Sequence, residues 1–127
     1  MSVQDLIKQS AKTAINRFKT EGGFFLQPSK ESGQKYHFDA IFLTVDYTLT
    51  DDDGVRTLAT GVGFEIDHET FERLYYACDK DFSESFIVQH RDGRRKMWKI
   101  LAEQPYEELA AGVLYRLNTV EWNEEKG

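Results

Sequence analysis

This sequence has little cysteine, little proline, no long apolar run and no excess of positive charge. One cysteine in 127 residues, Cys78, excludes an internal disulfide and fits a reducing, cytoplasmic compartment. Only two prolines are present, and neither repeats nor low-complexity tracts divide the chain, so one domain over residues 1–127 is expected. No stretch approaches the roughly 18 apolar residues that span a bilayer. Met1 to Asp5 lacks the basic-then-apolar pattern of a signal peptide. With 16 Lys and Arg against 22 Asp and Glu, the net charge is −6, which argues against direct nucleic-acid binding.

Signatures of chemistry are missing too. Asp51-Asp52-Asp53-Gly54 invites a calcium reading, but a calcium loop counted from Asp51 needs glycine and glutamate where Arg56 and Val62 stand. His68 and Glu72 lie one helical turn apart, yet a zinc protease motif needs a second histidine in place of Glu72. Gly61-Val62-Gly63 lacks the third glycine and the strand-to-helix setting of a dinucleotide loop, and no phosphate-binding loop occurs. Asp79 and Asp81 follow Cys78 and disfavour a thiolate, so that cysteine reads as a small buried hydrophobe. His37 and His90 stand beside no recognisable nucleophile. No catalytic residue, metal or cofactor is assigned.

What remains is a well-patterned globular chain, 40% hydrophobic and 13% aromatic. Residues 2–20 carry a helical stripe of Val3, Leu6, Ile7, Ala11, Ala14, Ile15 and Phe18. Phe24 to Leu26 should form a short strand. Residues 36–49 alternate, with Ile41, Leu43, Val45, Tyr47 and Leu49 on one face, and the turn Asp51 to Gly54 leads into a returning strand over 55–66. In that strand Leu58, Val62, Phe64 and Ile66 share a face, while Gly61 and Gly63 on the other suggest a bulge or a close approach by another segment. Asp67 can cap a second helix bearing Phe71, Leu74, Tyr75 and Cys78, ending near Asp79. Residues 85–90 and 94–101 make a hairpin about Asp92-Gly93. Pro105 opens a third helix lined by Tyr106, Leu109, Ala110, Val113, Leu114 and Leu117, followed by an acidic tail over 118–127. The order helix, three strands, helix, two strands, helix predicts an α+β domain, an antiparallel sheet of about five strands with helices on one face. Its open edges invite a partner or a second copy.

Charge is unevenly laid out. Residues 45–84 hold eleven acids against Arg56, Arg73 and Lys80, whereas Arg91, Arg94, Arg95, Lys96 and Lys99 face Asp92 alone. Acids in turns, helix starts and loops can project without disturbing a core. The expected partner surface is therefore Asp51, Asp52, Asp53, Glu69, Glu72, Asp79, Asp81 and Glu84, with Arg91, Arg94 and Arg95 as the alternative. In size, charge and mixed α+β content the chain resembles small bacterial immunity proteins. That likeness implies a non-enzymatic cytoplasmic inhibitor that binds one cognate protein, a basic toxin nuclease domain, and blocks its active site. The element order is also similar to that of type III secretion chaperones, which implies binding of an effector segment. A small enzyme using a histidine and a carboxylate is the remaining reading.

Overall fold

The structure, a computed structural model, describes residues 21–91 and 93–122. It contains β1 (Glu21–Gln27), β2 (Tyr36–Thr50), β3 (Arg56–Asp67), α1 (His68–Ala77), β4 (Phe86–Arg91), β5 (Arg94–Ile100), β6 (Tyr106–Ala110) and β7 (Leu114–Trp122). Every pairing is antiparallel, in the order β3-β2-β1-β4-β5-β7, and β7 pairs back onto β3. The sheet thus closes into a six-stranded barrel, with β6 added alongside β7. This corrects the α+β expectation of an open five-stranded sheet with helices on one face. The predicted third helix over 105–117 is instead β6, a turn and the start of β7. The supposed acidic tail begins inside β7, and 123–127, like the first predicted helix, lies outside the described residues. Likeness to secretion chaperones rested on that helix order and loses its ground.

The barrel closes because alternate residues of each strand are large and apolar on one side. Phe24 and Leu26, Phe38 and Ala40, Phe64 and Ile66, Trp98 and Ile100, and Tyr115 and Leu117 form one core. Phe24, Phe42, Phe64 and Trp98 meet in the lumen, with ring centroids 5.0 Å apart for Phe24–Phe64 and 5.4 Å for Phe64–Trp98. Each fully buried phenylalanine stabilises by about 2–3 kcal/mol, so the lumen is a packed core. In β2 the residues that join the lumen core are Phe38, Ala40 and Phe42, on the face opposite that of Ile41, Leu43 and Val45.

Helix α1 closes the barrel end where β3 finishes. Phe71 stacks on Tyr115 at 4.0 Å and meets Tyr106 at 4.8 Å, while Leu74 is fully buried. Asp67 is the N-cap residue, but its side chain makes no capping hydrogen bond. The helix ends as expected near Asp79, where Asp79 and Lys80 take left-handed angles and the Lys80 N–H returns to the Tyr75 carbonyl.

One stave of the barrel is built in two pieces. β5 pairs with residues 119–122 of β7, and β6 pairs along the same edge with residues 114–117. Asn118 stitches the gap. Its carbonyl accepts from the Leu101 N–H, its N–H donates to the Pro105 carbonyl, and its side-chain amide donates to the Gln104 carbonyl. A fully buried asparagine is stable there because each of these groups is matched.

Candidate functional site

The β2–β3 hairpin is longer than the barrel that carries it. Among the described residues β1 accompanies β2 as far as Ala40, and β7 accompanies β3 from Val62 onward. Residues 45–50 and 56–61 pair with each other alone, and 41–44 pair only with 62–65 of β3, so among the described residues the outer edges of 41–50 and 56–61 meet no other strand. The hairpin projects as a two-stranded arm. Asp51 organises its tip: its carboxylate accepts from the N–H of Asp53 and of Val55, and its carbonyl accepts from Gly54. Asp52 and Asp53 stand exposed beside it. Leu58 is 71% exposed and Val55 56%. Thr60 donates to Asp46 across the strands.

Where the arm leaves the barrel, the structure holds a polar fork. Tyr47, 3% exposed, lays its ring over Gly61. Its hydroxyl donates to the Val62 carbonyl at 3.0 Å and accepts from the Thr119 N–H at 3.2 Å. The Thr119 hydroxyl donates to the same Val62 carbonyl at 2.8 Å. These bonds replace the ladder at the point where β7 departs from β3 toward β5, and they set the root of the arm. Gly61 and Gly63 allow it, since a side chain at Gly61 would strike the Thr119 carbonyl and the Tyr47 ring, and one at Gly63 would press on Arg116 and Val45.

The predicted acidic surface is not one surface. Asp51, Asp52 and Asp53 sit at the arm tip, while Glu69 and Glu72 lie on α1 and Asp79, Asp81 and Glu84 in the loop after it. The two groups are separated by the length of β3, twelve residues, or about 35 Å at strand rise. Glu72 is engaged with His68 at 3.0 Å, and hydrogen bonds from the Ser83 side chain and then from its backbone N–H hold the Asp81 carboxyl below its ordinary range. In the alternative set, Arg91 pairs with Arg94 and His90 with Arg95 in the backbone register expected. Arg94 and Arg95 are exposed, and the Lys35 ammonium lies 3.4 Å from the His90 ring.

Two further groups are of chemical interest. His68 contacts Glu72 through Nε2, and its Nδ1 lies 3.4 Å from the Tyr115 hydroxyl. Burial pushes the Tyr115 phenol up, with Glu108 and Glu72 acting in the same direction. Cys78 is buried and takes a hydrogen bond from Ser85 at 3.3 Å. Burial raises its thiol, the Ser85 bond lowers it, and Asp79 and Asp81 raise it further. Among the described residues no three His, Cys, Asp or Glu side chains group as a metal site, and no helix is long and apolar enough to cross a membrane.

Sequence reasoning missed Tyr47, Val55 and Leu58 as members of a site. A signal was present: strands of 15 and 12 residues are longer than their described neighbours β1 and β7, of 7 and 9. No protein family, curated protein or solved structure matches this chain.

Proposed function

We propose that this protein acts by binding one partner protein with a basic surface, and that the β2–β3 arm is the recognition element. The arm itself carries the reading. It exposes Leu58 and Val55, leaves two strand edges unpaired among the described residues, and bears Asp46, Asp51, Asp52 and Asp53 against Arg56 alone. Exposed apolar groups on unpaired strands are avoided in monomers unless a partner covers them. A basic toxin nuclease domain in a cytoplasmic setting fits best. A ribbon of two strands, about 5 Å apart, is narrow enough to enter a groove shaped for a nucleic-acid backbone. Its carboxylates would then occupy phosphate positions and inhibit the enzyme without chemistry.

The test is capture of the partner followed by binding kinetics at two salt concentrations. Replacing Asp51, Asp52 and Asp53 together by Asn should slow association roughly tenfold at low salt, with a smaller effect at high salt. Glu69→Gln with Glu72→Gln, and the set Asp79, Asp81 and Glu84, should leave it unchanged. Binding that survives the arm substitutions but is lost with Arg94→Ala or Arg95→Ala would show that the basic hairpin is the recognition element. The His68–Glu72 contact favours a second reading, a small enzyme with that pair as general base. His68→Gln abolishing a turnover while partner binding persists would establish it.

A further inference from the structure

We infer that the edge of β3 that meets no other strand among the described residues, residues 56–61, receives an extended basic strand of the partner, which pairs with it through the main chain. The inference rests on the arm being the recognition element. Backbone geometry says which groups are offered. The Val62 carbonyl faces β7, where the Thr119 hydroxyl binds it. Groups along a strand alternate sides with a period of two residues. The N–H and C=O of Leu58 and Thr60 therefore face the open edge, and those of Thr57, Ala59 and Gly61 face β2.

A guest strand there would extend the line β7 abandons at Thr119, so the platform has the twist of the existing sheet. Leu58, 71% exposed, is placed to contact a guest side chain. The carboxylates of Asp52 and Asp53 lie at the tip end of the same edge, which selects lysine or arginine in the guest. A second copy of the chain is the poorer occupant. It would bring two molecules of net charge −6 together over a six-residue edge, well short of the roughly 1,200 Å² of a stable interface.

The test uses the whole protein and capped octapeptides: alternating Lys and Val, the same peptide N-methylated at alternate residues, and alternating Glu and Val. Hydrogen exchange and amide chemical shifts are followed at millimolar peptide. The Lys–Val peptide should slow exchange at Leu58 and Thr60 by roughly tenfold and leave Thr57 and Ala59 unchanged. Both other peptides should fail to protect. Leu58→Pro removes an edge N–H without removing a β2–β3 bond, and should abolish protection at Thr60, whereas Leu58→Ala should only weaken it. Should Leu58→Pro not fold, the N-methylated peptide makes the same distinction on the parental protein. Shifts confined to Asp51–Asp53, with no amide protected, overturn the strand edge and leave the acidic arm standing. No binding, or perturbation centred on Arg94, Arg95 or α1, overturns both. A concentration-dependent dimer that protects Leu58 without peptide overturns the basic guest in favour of a second copy.

Discussion

Tyr47→Phe isolates the fork at the root of the arm. The substitution keeps the ring over Gly61, so no cavity opens, and removes only the hydroxyl. The Val62 carbonyl keeps its bond from the Thr119 hydroxyl. The Thr119 N–H, on a residue with no exposed surface, loses the acceptor it has in Tyr47. Leaving a buried donor unmatched costs about 1–3 kcal/mol, so a loss of about 2 kcal/mol is expected. Thr119→Val removes the other hydroxyl and leaves Val62 bound by Tyr47, which should cost about 1 kcal/mol. With both changes the Val62 carbonyl loses both partners. The double variant should then lose more than the sum of the singles by about 0.5 kcal/mol or more. Urea unfolding with an unchanged denaturant slope is the assay. A Tyr47→Phe protein within about 0.5 kcal/mol of the parent, or strict additivity with Thr119→Val, would refute the account of the fork.

Gly61→Ala should destabilise by about 2–3 kcal/mol or prevent folding, because its methyl meets the Thr119 backbone and the Tyr47 ring. Gly33→Ala, with open space around it, should be nearly neutral in the same urea experiment. The Tyr47 phenol is raised above its ordinary 10.0, chiefly by burial and against the Thr119 bond and Arg116. The folded state therefore holds that proton more tightly than the unfolded chain. Stability from this group is full below about pH 10 and falls as pH climbs past it. Urea midpoints across that range should drop in the parent and less in Tyr47→Phe, and a midpoint that rises contradicts this. Cys78, its thiol raised by burial, should resist thiol reagents at neutral pH in the folded protein. Cys78→Ala should cost about 1 kcal/mol by urea unfolding and leave partner binding intact.

The hairpins were legible because their signals are local. Period-two alternation and the Asp-Gly turns lie within a few residues; the register of the second hairpin follows from Asp92-Gly93, while the first closes on a three-residue loop, Asp52 to Gly54, between Asp51 and Val55. The face of β2 was not legible, because Phe38, Ala40 and Phe42 alternate with Ile41, Leu43 and Val45, and both sets are apolar. The lumen decides between them, by accepting the aromatics that pack on Phe64 and Trp98. The segment after Pro105 read as a helix on good local grounds, since Glu107 to Ala111 favour one. Tertiary context overrides that preference: β7 fills the gap between β3 and β5, a pairing no local period records. Gly112, with φ of 66° and its N–H on Glu108, ends β6 and was the sign of a turn. The two glycines of β3 signalled a bulge or a close approach, and the structure shows the close approach, by Thr119 and Arg116. The acidic site misled because residues neighbouring in sequence lie far apart when an extended strand runs between them.

The closure of the barrel by β7 has a consequence for how the molecule is made. The strands β3 and β5 that flank the seam are synthesised well before Leu114 to Trp122, the last described residues to leave the ribosome. Until then each is a nascent edge with nothing to hold. The closing contacts span large sequence separations, as in Val62 with Thr119 and Met97 with Trp122, and such pairings form slowly. Any state in which β7 has not yet docked leaves the aromatic lining of the lumen exposed, and such a state is the one most prone to aggregation. The committing event in biogenesis is the arrival of the final strand.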